Sequence, residues 1–166
     1  LFIKLYFNQR DEDTFPTRLS YDLEYDDKRN ITSHDYPITV NKKIKAYKKR
    51  IVATKDFRVI GKAEVPELFN QCNSGKRKNL VITEGEIDCL SILEMLTKAK
   101  AQFDVVSIVN GAQSARRNIA SNLDFVNKYE KVFIAFDNDE FGIEASKDVA
   151  HIIKPGKAHI VNSVHK

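Results

Sequence analysis

Two clusters of acidic residues follow apolar runs in the second half of the sequence. Glu84 comes directly after the run LVIT, with Asp88 four positions later, and Asp137 and Asp139 come after the run VFIAF. Carboxylates that lie close together repel one another unless a cation neutralises them or one takes up a proton. Oxygen ligands of this kind suit hard divalent cations, and Mg²⁺ often combines a few carboxylates with substrate phosphates. The pattern therefore predicts a divalent-cation site.

The elements that must position these acids alternate between strand and helix from Leu80 onward. The apolar runs LVIT, VVSIV, VFIAF and AHIV are separated by EIDCLSILEMLTKA, SARRNIASNLDFVNKY and GIEASKDVAHII, which have helical periodicity. This alternation predicts parallel βαβ units, and strands so apolar fit a sheet covered on both faces. Ligands bind at the carboxyl ends of strands in such sheets, where both acid clusters would lie. If the two strands are neighbours, the acids come within roughly 5 to 10 Å of each other.

Two other interpretations of these acids need to be weighed. Helix capping accounts for individual acids such as Asp88, Asp139 and Glu140, because the helix dipole favours acids in a first turn. A calcium-binding EF-hand loop would use Asp137 and Asp139, but Phe141 occupies a ligand position and a strand leads into the segment. The EF-hand is therefore excluded. Capping remains open for single acids, while convergence of two clusters favours the metal site.

The first part of the sequence has a different pattern. The segments YPITVNKKIKAYKK and RIVATKDFRVIG alternate apolar and polar residues, as half-solvated strands do. We therefore predict a small mixed, mostly β subdomain over 1–72, a linker over 73–78 and an α/β domain over 79–166. The segment NKKIKAYKKR concentrates positive charge, which predicts either a phosphate-binding surface or a solvated basic hairpin.

Composition limits the class and location of the protein. A hydrophobic fraction of 42% over 166 residues is that of a globular protein, and no apolar run approaches the roughly 20 residues of a membrane span. We expect no membrane partner. Cys72 and Cys89 are the two cysteines and form no CxxC pair, so a reducing, intracellular compartment is expected. The first residue is not Met, and we expect the chain to be a fragment of a longer protein.

Several motifs resemble those of a known family. EGEID at 84–88 and DNDEFG at 137–142 are similar to the two signature motifs of the Toprim domain of DnaG-type primases, topoisomerases and some nucleases. Their order and the intervening VVSIVNGAQSA most resemble the primase half of the primase-helicases of T-odd phages and their organelle relatives. KKRIVATKDFRVIGKAEVPELFN resembles the basic segment before Toprim in that family. The resemblance covers about 45–166 and implies a Rossmann-like, mainly parallel four-stranded sheet with flanking helices.

The resemblance also implies roles for individual residues. Glu84 would be the catalytic general acid/base, with Asp88 supporting it. Glu84, Asp137 and Asp139 would hold Mg²⁺ or Mn²⁺, with two metal ions in the site.

Further residues are candidates for binding nucleotide or template. The resemblance places Lys49 and Lys55 where the family has two lysines that contact nucleotide or template, and we count both among the catalytic candidates. Arg58 follows on the same stretch, and Gly111 matches a family glycine. Arg116 lies near a predicted helix N-terminus, which is a favourable place for phosphate.

The function implied is that of the RNA polymerase core of a DNA primase. Its partners would be a single-stranded DNA template, ribonucleoside triphosphates, and the zinc-binding and helicase domains of the parent chain. It would act in the host cytoplasm if of phage origin, or in an organelle matrix if organellar. A Toprim nuclease or topoisomerase fragment, or a non-catalytic DNA-binding relic of a primase-helicase, remains an alternative.

The sequence also departs from the family pattern. It has neither a Walker A motif nor a cysteine-rich zinc module. It ends at NSVHK, where relatives supply a further acid, so we expect that ligand to lie outside these residues. The isolated fragment is accordingly expected to be inactive.

Overall fold

A computed structural model of the protein describes residues 22–161. The chain divides into two compact units, of which the first ends at Glu64 and the second begins at Val65. Within residues 22–161, no helix has both the length and the apolar character needed to cross a membrane.

The described part of the first unit is an antiparallel sheet. Its four strands pair in sequence order. They are β1 (Asp22–Tyr25), β2 (Ile31–Val40), β3 (Lys43–Ile51) and β4 (Phe57–Gly61). A turn at Asn41 and Lys42 joins β2 to β3, and both residues have positive φ, 50° and 62°. Two such residues form the tight hairpin turn whose twist matches that of the flanking strands. The alternating pattern of the sequence thus corresponds to a β meander.

The second unit is an α/β fold around a parallel sheet. Its strand order is β6-β5-β7-β8, and all three strand pairs are parallel. The elements are β5 (Asn79–Thr83), α1 (Glu86–Lys98), β6 (Phe103–Ser107), α2 (Ala115–Ser121), α3 (Leu123–Val126), β7 (Lys131–Ala135), α4 (Glu140–Ile152) and β8 (Ala158–Ile160). The predicted fold class, a four-stranded parallel sheet with flanking helices after a mostly β unit, is confirmed.

The centre of the second unit explains why its strands are so apolar. Leu80 and Ile82 on β5 and Val132 and Ile134 on β7 are fully buried, and Val81, which faces the other way, is only 8% exposed. Both faces of the sheet are therefore covered. Full burial of each such side chain contributes about 1.5–3 kcal/mol. This core holds the strand ends in place.

One predicted helical stretch is divided in the structure. The segment SARRNIASNLDFVNKY forms the short helices α2 and α3, which separate at Asn122. The Asn122 side-chain amide donates to Asn118 O at 2.9 Å and to Pro66 O at 3.1 Å, while Asn122 N donates to Ile119 O. The Asn122 side chain therefore bonds to the Asn118 carbonyl oxygen, to which the Asn122 backbone N–H would donate in a continuous helix. Hydrophobic periodicity does not detect this competition.

Residues 65–72, assigned above to the N-terminal subdomain, pack within the second unit. Leu68 is fully buried in its core. Phe69 forms an antiparallel bridge with Ser107, and the Asn70 side chain donates to Val105 O at 2.9 Å. This segment therefore covers the outer side of β6.

The predicted linker 73–78 is fixed by a buried carboxylate. The successive backbone N–H groups of Gly75, Lys76 and Arg77 donate to Asp104 Oδ2 at 2.7, 3.0 and 3.1 Å. The Tyr129 hydroxyl donates to the same oxygen at 2.9 Å. Burial and the Asp104 charge raise the pKa of Tyr129 well above its usual range, so the hydroxyl keeps its proton and remains a donor.

Candidate active site

The two acid motifs meet at the carboxyl edge of the parallel sheet. Strands β5 and β7 are neighbours, and Thr83 lies beside Ala135 at their ends. Glu84 and Asp137 follow these residues, and the Asp137 backbone N–H donates to Glu84 Oε2 at 3.5 Å. The structure therefore brings together the residues that the sequence analysis connected only on the condition that the strands were neighbours.

Glu84 lies at the centre of this edge. It is half-buried, and burial is the largest cause of a pKa raised above the usual value, with the negative charges of Asp137 and Asp139 adding to it. Hydrogen bonds from the backbone N–H groups of Asp137 and Ala112 act in the opposite direction. Glu84 therefore accepts a proton more readily than an ordinary glutamate. A cation bound at this edge would relieve the same repulsion.

Asp139 has a structural role at the same edge. It is the N-cap of α4, and its Oδ1 accepts a hydrogen bond from Gly142 N at 2.8 Å. Helix capping, the alternative considered for single acids, thus applies to this residue. A carboxylate has two oxygens with several lone pairs, so one capping bond is compatible with binding a cation through the other oxygen. The Asp137 side chain is exposed.

Gly142 is a site residue that the sequence analysis missed. It is buried, and a Cβ placed on it would collide with the backbone of Asp137, including its carbonyl oxygen. The first turn of α4 can therefore pack against the Asp137 backbone only because this position lacks a side chain. Glycine inside a helix costs about 0.5–1 kcal/mol relative to alanine, so its presence in this turn was the available signal.

Asp88 lies at the start of α1, whose N-cap is Gly85. A Cβ at Gly85 would lie 2.6 Å from Asp88 Oδ2, so the Asp88 carboxylate folds back over the glycine. An acid in this position is stabilised by the helix dipole. The first motif thus combines a half-buried Glu84 at the strand end with an acid that stabilises the following helix.

The loop after β6 also lies at the carboxyl edge of the parallel sheet. Gly111 has φ 72°, a backbone conformation that favours glycine. The space around its Cα is open, so a side chain there would not collide with a neighbour. The buried Asn118 side chain accepts a hydrogen bond from Val109 N at 3.0 Å and fixes the start of the loop. Asn118 was missed by the sequence analysis, which has no signal for a contact of this kind. The Arg116 guanidinium donates to Asp148 O on α4 at 3.4 Å.

The other predicted binding residues belong to the first unit. Lys49 on β3 forms ion pairs with Glu24 and with Asp35 Oδ2, the latter at 3.5 Å. These carboxylates, Glu24 foremost, raise the pKa of Lys49 above its usual value. Arg58 is exposed on β4 and lies beside Lys49 in the strand register. Lys55 is exposed in the β3–β4 loop with φ 61°.

The carboxylates at the sheet edge fit a divalent cation in type. Glu84, Asp137 and Asp139 supply oxygen ligands, which Mg²⁺ and Mn²⁺ prefer. Across residues 22–161, however, no group of three or more His, Cys, Asp or Glu is arranged to hold a metal ion. Mg²⁺ usually keeps several waters and uses one or two carboxylates plus substrate phosphates. The arrangement therefore fits an open site that substrate would complete.

Comparison with known proteins identifies the family. The Toprim-like family matches residues 81–166 of the chain. This chain belongs to the Toprim-like family. The predicted resemblance to the Toprim primases of T-odd phages is also confirmed. A DNA helicase/primase of Enterobacteria phage T3 is 30% identical to the Toprim-like chain over 106 residues, which are 64% of this chain and 18% of that relative.

Solved structures of phage T7 proteins resemble the same chain. A crystal structure of the primase fragment of the phage T7 primase-helicase has 28% identity and a TM-score of 0.71, covering 79% of this chain and 54% of that one. A second is the phage T7 lagging-strand DNA polymerase interacting with primase domains bound to an RNA/DNA hybrid and dTTP. There the TM-score is 0.70 at 28% identity, covering 79% of this chain and 65% of that one. The Toprim-like chain thus spans only part of each relative.

Proposed function

We propose that this Toprim-like chain is the RNA polymerase core of a DNA primase. It would synthesise short RNA primers on a single-stranded DNA template by metal-dependent nucleotidyl transfer. The observation that carries the proposal is the meeting of two acid motifs at Glu84 and Asp137. It is supported by likeness to a phage DNA helicase/primase and to a primase fragment. The zinc-binding and helicase domains of a parent chain are proposed partners.

The reaction joins a 3′-hydroxyl to an incoming ribonucleoside triphosphate. The 3′ oxygen forms a bond to the α-phosphorus. The bond between that phosphorus and the oxygen that bridges it to the β-phosphate breaks, and pyrophosphate leaves. Glu84 would take the hydroxyl proton, because it is the half-buried carboxylate at the centre of this edge. Asp137 and Asp139 supply negative oxygens at the same edge. When bound there, two Mg²⁺ or Mn²⁺ ions would activate the attacking oxygen and stabilise the leaving group.

Basic residues would offset the charge of triphosphate and template. We assign Lys49, Lys55 and Arg58 to phosphate contacts in the first unit, and Arg116 to those in the second. Ion pairs with Glu24 and Asp35 hold the Lys49 side chain in one position. This supports a contact between Lys49 and phosphate at a fixed place on the first unit. Gly111 leaves the backbone after β6 open to a close-lying nucleotide.

Primer synthesis with the parent protein tests the assignment. Glu84→Gln and Asp137→Asn should each abolish template-directed ribonucleotide joining. Glu140→Gln is the matched control, because Glu140 is an exposed acid of the same segment and starts α4. Unchanged rates in both site variants, or an equal loss in the control, would show that these acids are not the catalytic ones.

A non-catalytic DNA-binding function is the second candidate. The open arrangement of the acids in the part of the chain that the structure describes is compatible with it as well as with a metal site that substrate completes. Calorimetric titration with Mn²⁺ distinguishes the two functions. An enzyme should bind the ion more tightly than its Asp137→Ala, Asp139→Ala double variant, whereas a relic should bind it no better.

A further inference from the structure

The edge strand β4 exposes large apolar side chains on both of its faces. Phe57, Val59 and Ile60 are 51%, 57% and 54% exposed. Phe57 differs from the other two because cations lie over its ring. Lys48 Nζ is 4.6 Å and Arg50 Cζ is 5.6 Å from the ring centroid. A half-exposed aromatic ring flanked by two cations requires an explanation beyond packing.

The strand register places these groups on one face of the sheet. Phe57 lies directly opposite Arg50, which lies opposite His34, so the three residues form a row across three strands. Directly opposed residues of antiparallel strands share a face, and diagonal neighbours remain within reach. Lys48 occupies the diagonal position to Phe57 and lies opposite Val59. We call Lys48, Arg50 and Phe57 the stacking platform.

The ion pairs of Lys49 lie on the other face of this sheet. Asp35 lies opposite Lys49, and Lys49 also contacts Glu24. Since successive residues of a strand point to opposite faces, Lys49 lies on the face away from the stacking platform. The ion pairs of Lys49 thus lie on one face of the sheet, and Lys48 and Arg50 lie around Phe57 on the other.

The chemistry of the stacking platform suits an unpaired nucleotide as its ligand. A base stacks on an aromatic face, and neighbouring cations neutralise the phosphate backbone, which together give binding that tolerates any sequence. Each cation near an exposed ring is itself worth only about 0.5–1 kcal/mol. Stabilisation of the β3–β4 hairpin alone would not require the ring to remain half exposed.

We propose that Phe57, flanked by Lys48 and Arg50, stacks an unpaired base of single-stranded DNA. The proposal rests on the proposed function in one respect, because the priming reaction supplies the DNA strand as template. It adds a template contact on the face of the first unit opposite Lys49. It also explains why the aromatic ring of β4 lies among cations.

Binding of fluorescein-labelled oligo-dT to the full chain, measured by anisotropy, tests this. Phe57→Ala should weaken binding about 5- to 150-fold, which corresponds to loss of one base stack. Phe57→Tyr should retain binding because the ring remains. Ile60→Ala is the matched control, since Ile60 has nearly the same exposure on the same strand but lies opposite Tyr47 on the other face. Arg50→Gln should reduce the slope of log affinity against log salt by about one.

The outcomes separate this proposal from the proposed function. Wild-type affinity in Phe57→Ala, an equal loss in Ile60→Ala, or the same loss on an abasic strand would each overturn base stacking at Phe57. Much tighter binding of an RNA strand of equal length would overturn the assignment to template DNA. If the parent protein fails to synthesise primers while oligo-dT binding depends on Phe57 as expected, the priming function is wrong and the stacking platform stands.

Discussion

Asp139 both caps α4 and lies in the candidate metal site, and two substitutions distinguish these roles. Its Oδ1 accepts the Gly142 N–H at 2.8 Å. Asn caps helices about as well as Asp, whereas Ala in place of an N-cap Asp costs about 1 kcal/mol, within a range of about 0.5–2. Asp139→Ala should therefore lower the free energy of unfolding by about 1 kcal/mol, and Asp139→Asn by only the lost charge–dipole attraction, about 0.3–1 kcal/mol.

Urea unfolding, Mn²⁺ calorimetry and primer synthesis by the parent protein measure the two roles separately. If Asp139 is a metal ligand, Asp139→Asn should lose most Mn²⁺ binding and primer synthesis while it keeps most of its stability. A loss of about 1 kcal/mol would lower the melting temperature of a domain of 60–100 residues by about 4–8 °C, so Asp139→Ala is easily recognised. Asp139→Asn with full Mn²⁺ binding and full activity would refute the ligand role and leave only the cap.

Three further predictions follow from other contacts. Gly142→Ala should destabilise the protein by about 1–3 kcal/mol, because the new methyl group collides with the Asp137 backbone; urea unfolding measures this, and a gain in stability would contradict it. Asp104→Ala should lower the free energy of unfolding by about 3 kcal/mol or more, because three backbone N–H groups and the Tyr129 hydroxyl lose their acceptor. It should also speed hydrogen exchange at Gly75–Arg77. Unchanged exchange there would show that Asp104 does not hold this segment in place. The pKa of Glu84 is raised in the folded state. Its favourable contribution to the free energy of unfolding is therefore fully present below the pKa of the unfolded state and is lost as pH rises through the pKa of the folded state. In metal-free urea unfolding, Glu84→Gln should thus gain stability relative to wild type as pH rises, and a constant difference across pH would contradict this.

Local pattern was a good guide to the strands and a poorer one to a helix and a boundary. The run LVIT falls within β5 and VFIAF overlaps β7, because strands covered on both faces must be apolar at successive positions. The break at Asn122 was not predictable, since it depends on a side-chain amide that reaches Pro66, far away in sequence. The packing of residues 65–72 on β6 likewise depends on a bridge between Phe69 and Ser107.

The sequence by itself determined the order of the elements and the types of residue at the strand ends. Periodicity of two or 3.6 and the acids after apolar runs are local properties of the chain, so they can be read without knowing which strands meet. The tertiary structure alone decided that β5 neighbours β7 and that Glu84 receives the Asp137 N–H. These are contacts between residues distant along the chain. They depend on strand order, register and burial, which only the folded chain defines.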